Sequence, residues 1–354
     1  MIGETAVDVR GGPVGRHATY GPPLDIAVIG GGISGLSAAW LLSKRHRVVL
    51  FEAEDRVGGH SHTVDVGDCA VDTGFIVYNE STYPNLTALF EHLGVATKRS
   101  DMSFAVSLDD GRLEYSGGGL FGLFAQGRNA FSPRFWSMLR DLVRFYRQAP
   151  RDLAKLGDIT LDEYLDAAGY GPGFREDHLY PMAAAIWSTP AAQIGAYPAA
   201  SFIRFCETHG LLKLYGRPAW RTVAGGSRSY VTALANAIPE TVSHAPVKAI
   251  TRSADGVEII GSDGHRRRFH EVVIATHADQ ALALLADPGE AEGRLLGSFD
   301  YVVNDTFLHS DTRLMPRRRR TWSSWNYMTR NEGDQRGLSV TYWMNRLQGI
   351  ESDK

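Results

Sequence analysis

The spacing of apolar positions changes several times along the chain, and each change predicts an element. Residues 25–29 (DIAVI) are apolar with almost no alternation, the pattern of a parallel strand covered on both faces. Residues 33–43 (ISGLSAAWLLS) switch to helical spacing, with Leu36, Ala39 and Trp40 on one face. A short basic turn leads to RVVLFEA at 47–53, a second strand. Further on, SPRFWSMLRDLVRFYRQAP (132–150) predicts an amphipathic helix with Ser132 as N-cap and Pro133 in the first helical position. Phe135, Leu139, Leu142 and Tyr146 share one of its faces, and Arg140, Arg144 and Arg147 line another. The first 23 residues are rich in Gly and Pro and have no apolar core, so a disordered leader is expected there and not a signal peptide.

Strand, glycine turn, helix and strand together make a βαβ unit, and Gly30, Gly32 and Gly35 fit G-x-G-x-x-G at its first turn. Each position has a task. Gly30 permits the tight turn, Gly32 lets a pyrophosphate approach the backbone, and Gly35 brings the helix onto the sheet. The helix N-terminus, which includes Ser34, offers free N–H groups and partial positive charge to the phosphates. Glu52, followed by Ala53, closes the second strand, where its carboxylate can accept hydrogen bonds from a ribose 2′-OH. The expected class is α/β, with a Rossmann-type, mostly parallel sheet. NAD and FAD both carry ADP, so this unit alone does not choose between them.

Composition narrows the field without naming a reaction. A chain of 354 residues exceeds one hydrophobic core, so two domains are expected. A net charge of −3 gives no sign of a nucleic-acid partner. Two distant cysteines, Cys69 and Cys206, form no CxxC pair and suit a reducing cytoplasm. No apolar run reaches membrane-spanning length. His60 and His62 lie two apart on a strand, but no acidic or cysteine cluster accompanies them, so no metal is expected. The spacing of a hydrolase G-x-S-x-G is absent.

The continuation decides the cofactor. EAEDRVGGHSHTV places Arg56, the pair Gly58–Gly59 and then His60 just past the acid, and VDTGFIVYN follows at 71–79. This resembles the flavin amine oxidase, phytoene desaturase and protoporphyrinogen oxidase superfamily. The resemblance implies FAD, with Gly58–Gly59 along the pyrophosphate and ribityl chain and with Gly74 and Phe75 at the isoalloxazine. VAGGSRSYVTALANAI, HAPVKAITRSADGVEII and FHEVVIATHADQAL, between Val223 and Leu282, resemble later blocks of the same superfamily. They imply that Val247 offers backbone groups to the adenine and that Thr276 lies near the cofactor. YPMAAAIWSTP, LMPRRRRTWSSWNY and YWMNRLQGI are similar to a narrower group, bacterial amine-oxidase-like NAD/FAD-binding proteins encoded beside cyclopropane-fatty-acid synthases.

Two departures from the superfamily pattern bear on chemistry. The stretch that aligns with its catalytic lysine, YVVNDTFLHSD, has Asn304 in that place, and His60 stands where Arg is usual. The C-terminal segment that closes the FAD domain in the superfamily is also expected to be missing. The resemblance then implies an FAD-binding domain formed by 24–85 and 216–295. An inserted α+β substrate domain would take 86–215 and 296–354. Trp187, Trp220, Trp322, Trp325 and Tyr327 are core candidates singly and an apolar tunnel lining as a set. The reading is an FAD-dependent oxidoreductase that takes a hydride from a C–H bond of a lipid-like, fatty acyl substrate. Amine oxidation is the alternative, as is a non-catalytic flavoprotein working beside a lipid-modifying enzyme. The helix at 132–150 and the run Arg317–Arg320 are solvated basic surfaces or, in the sharper reading, a peripheral contact with anionic phospholipid.

Overall fold

The computed structural model describes residues 21–332 and 335–353. All but the last three residues of the expected leader lie outside them. The central sheet has the order β10-β2-β1-β14, formed by β1 (Asp25–Ile29), β2 (Arg47–Phe51), β10 (Glu240–Val242) and β14 (Glu271–Ile274). All its pairings are parallel. On one face Ile26, Val28, Val48 and Leu50 meet Leu36 and Ala39 of α1 (Ile33–Ser43). On the other, Ala27, Ile29, Val49 and Phe51 meet Ile250, Ile259 and Phe269. These last three come from an antiparallel meander of β11 (Val247–Ser253), β12 (Gly256–Gly261) and β13 (Arg266–Phe269). With both faces covered, β1 has no solvent side, which is why its sequence does not alternate. At the sheet edge Val272, Val273 and Ile274 of β14, with Ala275 after it, stay half-buried.

Residues 52–239 intervene between β2 and β10. First come the hairpin β3 (Thr63–Val66) and β4 (Cys69–Asp72), then β5 (Val77–Asn79), α2 (Pro84–Leu93) and β6 (Thr97–Arg99). β5 and β6 flank β9 (Trp220–Val223) in an antiparallel sheet. The sequence reading assigned α2 and β6 to the substrate half. In the structure Phe90 of α2 is buried against Tyr78 and Tyr230, with ring centroids 5.3 and 5.0 Å away. Leu86, Leu89 and Leu93 join it on the α1 side of the parallel sheet. An apolar helix face needs a partner, and this one finds it on the dinucleotide half.

The other half has two cores. One is a helical cluster that includes Phe145, Leu161, Leu165, Phe174, Leu179, Ile194, Phe202 and Cys206. The second lies under a sheet of order β16-β15-β7-β8, from β7 (Phe104–Leu108), β8 (Leu113–Ser116), β15 (Trp325–Glu332) and β16 (Gln335–Tyr342). The predicted amphipathic helix is α4 (Pro133–Asp152), and Ser132 caps it by accepting from the Phe135 N–H at 3.3 Å. Its inner face centres on Phe135, Met138, Phe145 and Ala149, and it buries Asp141. Leu139 and Leu142 of the predicted stripe are half-buried. Arg140 and Arg144 hold the Asp141 carboxylate at 3.1 and 3.6 Å, and Arg144 also lies over the Tyr170 ring. Of this face, Arg144 reaches beyond the helix, donating also to the Gly169 carbonyl at 3.0 Å, while Arg140 and Arg147 are exposed. No helix among the described residues is long and apolar enough to cross a membrane.

Candidate functional site: a glycine-lined cradle beside an aromatic run

At the C-terminal end of β1 the chain turns through Gly30, Gly31 and Gly32 into α1. A side chain at Gly35 would overlap the Gly30 carbonyl oxygen, so only glycine lets the first turn of α1 sit against the strand end. The second glycine pair docks on the first. Gly58 N–H donates to the Gly31 carbonyl at 2.7 Å, and Gly32 and Gly58 form a parallel bridge. Gly59 has φ +55°, and a Cβ there would lie 3.0 Å from Gly32 Cα. Glu52 closes the arrangement. Its Oε2 accepts from Gly31 N–H at 2.6 Å and its Oε1 from Glu54 N–H at 2.9 Å. Arg56 donates to the Gly59 carbonyl at 3.1 Å, which fixes the second glycine turn from outside.

These residues fit an adenine dinucleotide on three counts. A Cβ built on Gly32 meets nothing within 4 Å, so the space over the loop is open. Helix α1 has Gly32 as its N-cap and no side-chain cap, which leaves its first N–H groups for an anion. The Glu52 carboxylate is half-buried beside them. Ser34 is exposed in that first turn, and Ala53 is exposed just past the acid. Val247 begins β11 two residues after Ala245, whose N–H donates to the Glu52 carbonyl at 2.9 Å. A bulge after Val247 leaves Lys248 out of the ladder. Thr276 follows β14 with its methyl against Gly30.

The flavin block joins the cradle through His60. Its carbonyl accepts from Phe75 N–H at 2.9 Å and lies against Gly74. The His60 ring is exposed and stacks on His277 at 5.6 Å, and His277 stacks on Tyr301 at 4.5 Å. The Tyr301 hydroxyl accepts from Ala278 N–H at 2.9 Å. His62 turns to a different partner, Thr73 Oγ1 at 2.9 Å, and burial lowers its pKa. Asn304 sits in an exposed irregular segment, where its side chain reaches the Val302 carbonyl at 3.4 Å.

A buried carboxylate that the sequence reading passed over ties these blocks together. Asp72 accepts from Ser227 N–H and Oγ, both at 2.9 Å, from Thr63 Oγ1 at 2.6 Å and from Gln348 Nε2 at 3.1 Å. Gln348 returns the contact by accepting from Asp72 N–H at 3.0 Å. Asp72 was visible in VDTGF, but nothing in the sequence places Gln348, 276 residues away, beside it.

From Phe75 an aromatic run leads into the helical half. Its ring centroid is 6.3 Å from Tyr83, and Tyr83 is 6.1 Å from His209. His209 stacks on Phe205 at 4.1 Å and faces Trp220 at 6.4 Å, while Phe205 meets Trp187 at 4.8 Å. Of the five aromatics proposed as a lining, Trp187 and Trp220 belong to this run. Trp325 packs on Tyr342 at 4.7 Å and Trp322 on Trp343 at 5.6 Å. Tyr327 is buried in the core beneath the β16-β15-β7-β8 sheet and lines nothing. His209, Phe205 and Tyr83 were missed, because single aromatics and a lone histidine carry no spacing signal.

The glycine cradle, the uncapped helix and the acid just past β2 define a dinucleotide-binding fold. The profile of the flavin-containing amine oxidoreductases matches residues 33–304, so the chain belongs to that family, whose cofactor is FAD. (S)-6-Hydroxynicotine oxidase of Paenarthrobacter nicotinovorans is 26% identical over 279 residues, 76% of this chain and 64% of its own. Among solved structures, putrescine oxidase with bound putrescine superposes with a TM-score of 0.60 at 16% identity, over 78% of this chain and 63% of its own. A CLA-producing fatty acid isomerase from P. acnes gives 0.51 at 19% identity, over 77% and 63%. Both likenesses are of fold. The chain spans less than two thirds of the length of these relatives. Bound FAD would supply a two-electron acceptor, and the glycine turns, the α1 N-terminus and Glu52 are the residues that would hold its phosphates and ribose, with the aromatic run starting at Phe75.

Proposed function

We propose that the protein is an FAD-dependent oxidoreductase that removes a hydride from a C–H bond of an apolar, lipid-like substrate. The observation that carries this is the run Phe75–Tyr83–His209–Phe205–Trp187, which begins at the flavin block and continues between the two halves. Burial raises the Tyr83 pKa, so its hydroxyl stays neutral. Glu80, the carboxylate closest in sequence to Tyr83, is paired with Arg221 at 3.4 Å. A wall of rings suits an acyl chain, whose C–H bond must be fixed and kept from water before it can react. The fatty acid isomerase shows that a related fold serves such a molecule.

Amine oxidation is the second reading, favoured by (S)-6-hydroxynicotine oxidase and putrescine oxidase among the relatives. One experiment separates the two. Flavin absorbance is followed anaerobically while phospholipids with unsaturated or methyl-branched chains, or simple amines, are added, and the acyl products are weighed by mass spectrometry. Bleaching with a lipid mass change of −2 supports the proposal. Rapid bleaching by amines with unchanged lipids selects amine oxidation. No bleaching by either class supports a non-catalytic flavoprotein.

A further inference from the structure

The most conspicuous surface feature lies far from the cradle in the chain, on the β8 side of the substrate sheet. The short helix α3 (Leu120–Leu123) exposes Leu120 at 73% and Phe121 at 94% of their surfaces, and the turn after it exposes Phe131 at 89%. Trp136, in the first turn of α4, is 51% exposed and donates its indole N–H to the Ala130 carbonyl.

The segment that carries these side chains is firmly held. Gly122 is buried, with no room for a side chain against Ser116 of β8. Gln126 accepts from Glu114 N–H at 2.9 Å, and Asn129 donates to the Glu114 carbonyl at 3.0 Å. Phe124, between the exposed residues, packs on Phe135 and Trp136 with centroids 5.9 and 5.7 Å away. The apolar tips are therefore presented by a fixed scaffold.

Arginines flank the tips. α3 contacts the turn Arg319–Thr321. That turn is organised by the buried Glu114 carboxylate, which accepts from Arg317 N–H at 2.7 Å and Arg318 N–H at 3.2 Å and pairs with the Arg318 guanidinium at 2.6 Å. With Glu114 neutralised inside, Arg317, Arg319 and Arg320 remain exposed outside. Arg128 is exposed on the loop itself. Asp109, the nearby acid, is held by Arg112 at 2.8 Å, and Asp110 lies 3.8 Å from Arg317. The whole chain carries −3, so this basic rim is a local feature and not a reflection of composition.

We propose that this edge docks on the surface of an anionic phospholipid bilayer. Leu120, Phe121 and Phe131 enter the acyl boundary, Trp136 sits at headgroup level, and Arg128, Arg317, Arg319 and Arg320 meet the phosphates. Protruding apolar tips with an indole at their base and a cationic rim match an interfacial contact, in which area and charge add. The surface does not depend on which substrate the site takes.

The test is co-sedimentation of the full chain with FAD, using vesicles of pure phosphatidylcholine or of phosphatidylcholine with 30% phosphatidylglycerol. Binding is expected to the anionic vesicles, with a more than tenfold loss in the double variant Phe121→Ser, Phe131→Ser. Arg319→Gln with Arg320→Gln should weaken binding several-fold at low salt and little at high salt. Melting temperature and flavin content of each variant verify folding. No pelleting of the wild type with anionic vesicles at low salt would overturn the proposal. Equal binding by the serine variant would do the same, as would an effect of that variant on self-association alone in gel filtration.

Discussion

At the scale of single residues the two informative groups are the half-buried acid of the cradle and a histidine buried in the helical half. Glu52 accepts from Gly31 and Glu54 and keeps lone pairs for a ribose hydroxyl. Glu52→Ala should weaken FAD binding by about 1.5–3 kcal/mol, the value of a hydrogen bond to a charged group. A fluorescence titration of the apoprotein with FAD measures it, and an unchanged affinity would reduce Glu52 to a loop brace. His178 is the second group. It lies in the helical half with Nδ1 2.9 Å from the Tyr115 hydroxyl, and burial pushes its pKa down to about 4. Between pH 6.5 and 4 the unfolded chain binds a proton that the folded one refuses, so stability falls as pH drops through that window. The full effect is about 3 kcal/mol and is complete below pH 4. Urea melts of the wild type and His178→Gln from pH 7 to 4 should diverge by that amount, the variant losing less. Parallel curves would show that His178 protonates without cost in the fold.

At the scale of elements, the βαβ unit was legible because period and punctuation agree. β1 and α1 match the strand and helix ranges read from apolar spacing, β2 ends at Phe51, two residues short of the range read, and the glycines fall where the turn needs them. The boundary between the halves was not legible. Apolar positions on α2 show that the helix is buried on one face but not against which neighbour, and the answer depends on Tyr78 and Tyr230. Arginines on α4 are a similar case, since spacing marks a basic face on which Arg140 and Arg147 are exposed but does not show Tyr170 beneath Arg144. The tightest local fit is Gly35 of α1 against the Gly30 carbonyl. Gly35→Ala should push α1 off the strand end, costing about 1–3 kcal/mol from overpacking. It should also remove bound flavin, because the helix N-terminus moves with it. Flavin content after gel filtration and a chemical melt check both parts. A variant that keeps full flavin would show that α1 tolerates the shift.

For the molecule as a whole, the question is whether its two halves behave as one. The parallel sheet and the helical cluster have separate cores, and sequence gave no means of seeing what joins them, because the joining residues are far apart in the chain. Two connections stand out. The run Phe75–Tyr83–His209–Phe205 crosses from one to the other, with Thr82 Oγ1 donating to the Thr208 carbonyl at 3.1 Å. Gln348, just past the helix Met344–Leu347, reaches back to the buried Asp72 beside the cradle. If these contacts couple the halves, a ligand bound to one must stabilise both. FAD at about a hundredfold over its Kd should add about 2.7 kcal/mol. Tryptophan fluorescence reads mainly the other half, because five of the seven tryptophans lie there, Trp40 of α1 and Trp220 of β9 being the exceptions. Added FAD should therefore raise the melting temperature seen by tryptophan emission as much as that seen by flavin release. Gln348→Ala should separate the two transitions while leaving each half folded. A flavin transition that moves with FAD while the tryptophan transition stays fixed in the wild type would mean that the halves unfold independently, and that the aromatic run is contact without coupling.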